Sequence, residues 1–454
     1  MTDVEKWIKD NRVTEVECLV PDMSGIARGK IMPVPKFLSS LKDQGLRIPE
    51  AIFVQSISGV YPDDYDDLIN PQNSDVYLRP DFTTLRLVPW YREPTAQVIC
   101  DCFYKNGENG EPGEPVEIAS RQLLQRVLKL FDSRGWTPIV APELEFYLVE
   151  TNTDPDYPLS PPVGRSGRKE TAHQSYGIDS VNEFDPIFED VYDYCEVQKI
   201  DIDTLSHEEG AGQIEINFNH GEALALADQV FSFKRTVRQT ALAHKVYATF
   251  MAKPMENEPG SAMHIHQSLI DRETKKNLFA DADGQDSRLF LQFIAGQQKY
   301  LPAMMPLLAP NVNSYRRLQR YSDAPINVHW SRDNRTTGLR VTESAASARR
   351  VENRLAGADV NPYLAIAGSL AAGWLGIAEE LEPKEPVTGN AYERAHTLPR
   401  HMPESLAKMS RTKELTTVFG DRFIEVLLSV KQTEYDAYMK VISSWEREFL
   451  LLNV

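Results

Sequence analysis

Three short runs in this 454-residue chain place acids, imidazoles and amides at alternate positions between apolar residues. They are Pro142-Glu143-Leu144-Glu145-Phe146-Tyr147-Leu148, Gln213-Ile214-Glu215-Ile216-Asn217-Phe218-Asn219 and Met263-His264-Ile265-His266-Gln267-Ser268-Leu269. Alternation with period two marks a β-strand with one buried face. Glu143 and Glu145 then share a face, as do Gln213, Glu215 and Asn217, and again His264, His266 and Ser268. A solvated strand face often carries Lys or Thr; these runs carry neither. Carboxylate oxygens with an occasional imidazole are what a hard divalent cation needs. Taken singly, each run also fits a solvated strand face or a satisfied structural histidine. Their combination favours a metal centre.

The formal net charge is −17, which disfavours general binding to nucleic acid or to anionic membranes. The length exceeds what one compact core serves well, so two domains are expected, 1–108 and 109–454. The run Lys105 to Pro115, rich in Gly, Glu and Pro, reads as the linker. Four cysteines form no C-x-x-C pattern, and Cys100 and Cys102 alternate within an apolar run as core residues do. Met1 to Asp10 is charged and lacks the apolar stretch of a secretory signal, so a cytoplasmic location is the expectation. The most apolar stretch, Tyr363 to Ala378, is too short for a membrane span and reads as a buried helix.

Strands are predicted at 13–20, 26–33, 85–89 and 96–103, and helices at 37–46, 120–135, 183–198, 222–248, 287–304 and 362–381. The Pro-, Gly- and Ser-rich stretch 151–174 reads as a surface loop. No phosphate-binding Gly-rich loop is present. Arginines cluster instead in Asn313-Ser314-Tyr315-Arg316-Arg317, in Asp333-Asn334-Arg335-Thr336-Thr337-Gly338-Leu339-Arg340 and in Arg349-Arg350-Val351-Glu352-Asn353-Arg354. Surface ion pairs explain any one of them. Spread over three segments beside metal-type carboxylates, they suggest phosphoryl transfer, with metal bridging phosphate oxygens and arginines neutralising developing charge.

In this order the segments resemble glutamine synthetase of the bacterial type I class. The shared motifs are Pro-Glu-Leu-Glu-Phe, His-Glu-x(4)-Gln-x-Glu, Gly-Ser-x-Met-His-x-His-x-Ser, Asn-Ser-Tyr-x-Arg, Asn-Arg-x(4)-Arg and Arg-x-Glu-x-Arg, followed by Asn361-Pro362-Tyr363. Pro21 to Lys30 also fits the family's N-terminal domain. The resemblance implies an α+β protein: a β-grasp-like N-terminal domain and a catalytic domain built on a curved antiparallel sheet. It implies ATP and two divalent ions, Mg²⁺ or Mn²⁺, and a dodecamer of two stacked rings of six with active sites between neighbours. By position, Glu145, Glu208 and Glu215 correspond to ligands of one ion, and Glu143, His264 and Glu352 to ligands of the other. Arg317, Arg354 and Gly260 correspond to glutamate-side residues, and His266, Ser268 and Arg340 to ATP-side residues. Arg335 corresponds to a residue at the transferred phosphate.

The departures bear on the amine acceptor. Ammonium-using members carry an Asp in the N-terminal domain that helps bind the cation; the region Phe53 to Ser58 has none. The family's flap glutamate before Ala-Pro is here the shorter Asp323, and an Asn before Gly-Ser is here Pro259. This pattern resembles the γ-glutamylpolyamine synthetase branch, which joins the γ-carboxyl of glutamate to putrescine or a related amine. Tyr61, Asp63, Asp64 and Tyr65 are candidates for a wall facing a distal ammonium group. Ammonium itself, a small monoamine such as ethanolamine, and a non-catalytic homologue remain the alternatives. The surroundings of Tyr392 differ from those of tyrosines adenylylated in some members, so that modification is not expected.

Overall fold

The computed structural model describes residues 3–43, 45–70, 72, 74–104 and 113–454. The first sheet uses β1 (Glu15–Pro21), β2 (Ala27–Pro33), β3 (Arg47–Pro49), β4 (Asp75–Pro80), β5 (Arg86–Val88) and β6 (Thr95–Phe103). Its order is β2-β1-β6-β4-β3, with β5 also on β6. β1 and β6 run parallel at its centre, and the other pairs are antiparallel. Central position explains their composition: Val16, Cys18, Ala96, Val98, Cys100 and Cys102 are all fully buried. All four cysteines are free and buried, as a core role requires. The helix Val34–Lys42 packs on β1 and β2 through the buried Phe37.

The second sheet uses β7 (Trp136–Glu150), β8 (Ile202–His207), β9 (Gln213–Phe218), β10 (Gly221–Glu222), β11 (Val246–Thr249), β12 (Met263–Asp271), β13 (Trp330–Arg332), β14 (Leu339–Val341) and β15 (Val351–Asn353). The order is β13-β14-β15-β12-β7-β9-β8, with β10 and β11 pairing opposite stretches of the long β7. Every pair except β13 with β14 is antiparallel. The apolar face of the three central strands, Leu144, Phe146, Leu148, Ile214, Ile216 and Ile265, is almost wholly excluded from water. Helices Ala223–Ala243, Ser120–Asp132 and Pro362–Ala378 help cover that face. Pro362–Ala378 is buried nearly all round, as its composition predicts, and is capped by the Asn361 side chain at the Tyr363 and Leu364 amides. It crosses helix Arg288–Tyr300 at Gly296 and Gly376, where an added Cβ would meet the opposing backbone at 2.2 Å.

Three helices depart most from the sequence reading, while those expected over 120–135 and 362–381 end at Asp132 and Ala378. The helix expected over 222–248 stops at Ala243, because Lys245 turns left-handed (φ 60°) and Val246–Thr249 joins β7 as an edge strand. The helix expected over 37–46 starts earlier, with Pro35 in its first turn, and ends at Lys42. The helix expected over 287–304 ends at Tyr300 and continues as a 3₁₀ turn through Pro302. The expected linker lies mostly outside the described residues, although Pro115 bridges to Phe103.

A buried ionic knot ties the two sheets together. Arg121, fully buried, donates to Asp81 and Asp101 from the first sheet's segments and to Asp228 of helix Ala223–Ala243. Asp228 also accepts from the Tyr363 hydroxyl at 2.7 Å. A second tie joins Arg235 to Glu17 and Gln97.

Candidate active site

Strand register alone assembles the acidic cluster. Glu145 lies opposite Glu215 across β7 and β9, Glu143 opposite His264 across β7 and β12, and His266 opposite Glu352 across β12 and β15. Side chains directly opposite on one face stand about 5 Å apart at Cβ. Four strands therefore deliver carboxylates and imidazoles to one place before any loop contributes. Glu143, Glu215 and His264 have ligand atoms within 4.8 Å of one another, and so do Glu143, His266 and Glu352. His266, expected on the nucleotide side, thus also falls within ligand range, with Nε2 2.7 Å from Glu143. Glu208 enters from the β8–β9 turn, close enough to Glu143 and Arg335 to feel both charges.

The cluster is electrostatically strained without a cation. Burial, then Glu208 and Glu215, push Glu145 well above the usual carboxylate range. Burial, Glu143 and Glu208 push Glu215 up to about 8. Glu143 and Glu352 are the exceptions. Burial works against the charge of Glu143, but its hydrogen bonds to His264 and His266 hold it low. Glu352 follows the same pattern. Burial works against its charge, but Arg354 and the neighbouring imidazoles and Arg340 hold it low. Its two oxygens lie 2.6 Å from Arg354 and 2.8 Å from Arg340. His264 is buried, its pKa lowered to about 4, and its Nε2 has no hydrogen-bond partner. An orphaned neutral imidazole nitrogen among crowded carboxylates is the donor set of a hard divalent ion. The residues present therefore fit such a group: Glu143, Glu215 and His264 would hold one ion, and Glu143, His266 and Glu352 another.

This strain has a sign. A carboxylate whose folded pKa is raised contributes stability that is present below its unfolded value and lost as pH rises through the folded value. For Glu215 that window runs from the ordinary 4.5 to about 8. A bound divalent ion removes the repulsion. Mn²⁺ or Mg²⁺ is therefore expected to raise Tm, relative to chelated protein, more near pH ~8 than near pH ~5.5. Thermal scans in both buffers check it, and an equal or larger increment at the lower pH contradicts it.

The arginines divide. Arg340 and Arg354 flank Glu352 at the cluster. Arg317 is buried and its terminal nitrogens donate to the carbonyls of Leu355 and Arg354, so here it supports the Arg354 segment. Gly260 makes room for it: a Cβ there would come within 2.6 Å of the Arg317 side chain. Asp323 has a left-handed backbone (φ 55°) and lies against Glu209, whose carboxyl is pushed up by burial and by Asp323. Beside the cluster a cavity of about 680 Å³ is lined by Glu143, Asn217, His266, Ser268, Lys275 and Arg350 among others. Lys275 carries no signal in the sequence, and Arg350 stands out there only as part of an arginine run. Arg350 donates to His266 Nδ1 at 3.2 Å, linking the cavity wall to the cluster. Of the candidate acceptor wall, Tyr61 and Tyr65 stack edge to face at 4.9 Å, and Asp64 accepts from Ser429.

Residues 117–450 match the family model for the glutamine synthetase catalytic domain. The chain is 34% identical to γ-glutamylputrescine synthetase PuuA of Escherichia coli (strain K12), over 99% of this chain and 94% of that protein. It is 33% identical to glutamate–isopropylamine ligase of a Pseudomonas species, over 98% and 96%. The solved structure of ligand-free GmaS superposes with a TM-score of 0.83 at 23% identity, covering both chains in full, and shares the fold. With the register-built acidic cluster and a match over nearly its whole length, the chain belongs to the glutamine synthetase family, whose reaction class is ATP-dependent carbon–nitrogen ligation.

Proposed function

We propose that this protein joins the γ-carboxyl of glutamate to an organic amine, putrescine or a related polyamine, at the expense of ATP. A carboxylate is a poor electrophile, so its oxygen first attacks the γ-phosphorus of ATP and ADP leaves. The amine nitrogen then attacks the resulting acyl phosphate, phosphate leaves with the bonding electrons, and a proton is lost from nitrogen. Divalent ions, if held by Glu143, Glu145, Glu208, Glu215, His264 and Glu352, would supply charge neutralisation for the phosphoryl group. Arg335 and Arg340 oppose charge on the transferred phosphate and ATP. His266 and Ser268 sit on the nucleotide cavity, while Arg317, Arg354 and Gly260 serve glutamate.

Asp323 and Glu209 stand side by side and suit any ammonium group, so the acceptor assignment turns on the Gln55 to Val60 loop. Two carboxylates side by side favour a cation between them, and position 209 adds an acid to the shortened gate. The loop at Gln55 to Val60 has no acid of its own, and the nearby Glu434 is engaged by Lys431 and by the Ile57 amide. The names of the two relatives, a putrescine and an isopropylamine ligase, support an alkyl amine. Phosphate release with ATP, Mg²⁺ and glutamate against an amine panel that includes ammonium tests the reading. Release that depends on ammonium alone refutes it.

We also infer two domains, 1–108 and 109–454, a cytoplasmic location and a homododecamer. No helix among the described residues is long and apolar enough to cross a membrane. Met439, Val441, Ile442, Trp445, Phe449 and Leu451 are all exposed in the single chain, an apolar segment suited to burial in an assembly. Sedimentation is expected to give a ring-sized particle, and an active monomer contradicts it.

A further inference from the structure

We propose that Glu170 is a positioning residue for the metal centre, acting through the buried His207 on the backbone of Glu208. Glu170 belongs to the stretch read from sequence as a surface loop, yet its side chain is only 11% exposed and reaches the turn that carries Glu208. Its Oε2 accepts from the Gly212 amide at 2.7 Å and lies 2.9 Å from His207 Nε2. The other ring nitrogen of His207, Nδ1, lies 2.5 Å from the carbonyl of Glu208. A carbonyl only accepts, so Nδ1 carries the proton of that bond. The rigid imidazole therefore spans from Glu170 to the peptide unit following Glu208 and sets where that peptide stands.

The same turn is caught from several sides. Ala211 N–H donates to Glu258, and Gly210 N–H to Gln213. Tyr176 N–H, from just beyond the Glu170 stretch, donates to the His207 carbonyl at 2.8 Å. No side chain is tolerated at Gly210, where a Cβ would meet the Tyr147 hydroxyl at 2.0 Å. Glu145 is held comparably, by the Ala262 amide at 2.8 Å. Glu208 is the cluster carboxylate that comes from a turn, so its aim depends on what fixes that turn. Metal ligands aimed by such outer partners typically lose about 10- to 100-fold in metal affinity when the partner is removed.

The inference rests on Glu208 being a metal ligand, and the experiment separates the two claims. The full chain is titrated with Mn²⁺ alone by calorimetry. The wild type is expected to bind, and Glu208→Gln to lose one site. If the wild type binds no Mn²⁺, or Glu208→Gln binds as wild type does, the ligand reading fails and the inference with it. Glu170→Ala is expected to weaken that same site about 10-fold or more. The Mn²⁺ concentration for half-maximal turnover should rise in parallel, with kcat near wild type once metal saturates. Glu183→Ala, which releases the Ser166 amide in the same stretch but bonds to neither Glu170 nor His207, is expected to bind as wild type. Wild-type affinity in Glu170→Ala, with Glu208→Gln defective, overturns the positioning role alone. An equal loss in Glu183→Ala also overturns it, since general loosening would then be the cause. Should Glu170→Ala not fold, His207→Gln carries the measurement, and wild-type affinity there overturns the proposal.

Discussion

Glu145→Ala is expected to lower glutamate-dependent phosphate release by about 10³-fold or more, a barrier increase of roughly 4 kcal/mol, without weakening the fold. Glu145 is buried, accepts from Gln213 and the Ala262 amide, and is pushed toward its neutral form by burial and by Glu208 and Glu215. On the metal-centre reading its removal deletes a ligand; it also relieves repulsion, so the chelated variant should melt no lower than the chelated wild type. Glu352→Ala should abolish turnover equally but behave differently on melting. It leaves Arg340 and Arg354 facing a void where their carboxylate stood. Breaking a buried pair from one side costs about 3–5 kcal/mol. Turnover and chelated Tm, measured on both variants, separate the two roles. Either variant keeping a tenth of wild-type activity rules out the metal-ligand reading for that residue.

An organic diamine is expected to exceed ammonium as acceptor by roughly 10- to 150-fold in kcat/KM, the equivalent of one charge-assisted hydrogen bond that ammonium forgoes, about 1.5–3 kcal/mol. Ammonium depends on fixed carboxylates for both binding and deprotonation. Here the Gln55 to Val60 loop supplies none, and Asp323 is one methylene shorter than the family's gate residue. A diamine is less dependent on such a carboxylate, because its far ammonium gains a partner from the Glu209 and Asp323 pair or from Tyr61 and Tyr65. Asp323→Asn should then depress diamine turnover at least as much as it depresses ammonium turnover. Kinetics for both acceptors under one ATP, glutamate and metal condition decide, and a preference for ammonium would return the chain to glutamine synthesis.

Much of the cluster is legible in the sequence because strands advertise their faces. Glu143, Glu145, Glu215, His264 and His266 stand at alternate positions in apolar runs, and pairing register does the rest. Glu208 and Glu352 carry no such signal: one lies in a turn and the other in a strand of three residues, too short for a period to show. Only resemblance to the family reaches them. Glu170 and His207 are invisible as partners, since nothing local to a Pro- and Gly-rich stretch indicates a hydrogen bond 37 residues away. The end of the helix at Ala243 is hidden for a similar reason. Val246–Thr249 leaves the helix because an edge of β7 is available to pair with it, and that is a property of the tertiary fold.

The ionic knot at Arg121 constrains how the molecule can be taken apart. A fragment beginning after the first sheet would keep the guanidinium and Asp228 but lose Asp81 and Asp101. That buried guanidinium would be left with one carboxylate in place of three, alongside an apolar surface stripped of its cover. Expression of the half that carries the acidic cluster, on its own, should therefore give aggregates, and recombination of separately produced halves should succeed only when they are refolded in each other's presence. By the same reasoning, in chimaeras exchanging N-terminal segments among relatives, the acids at 81 and 101 must travel with a compatible arginine.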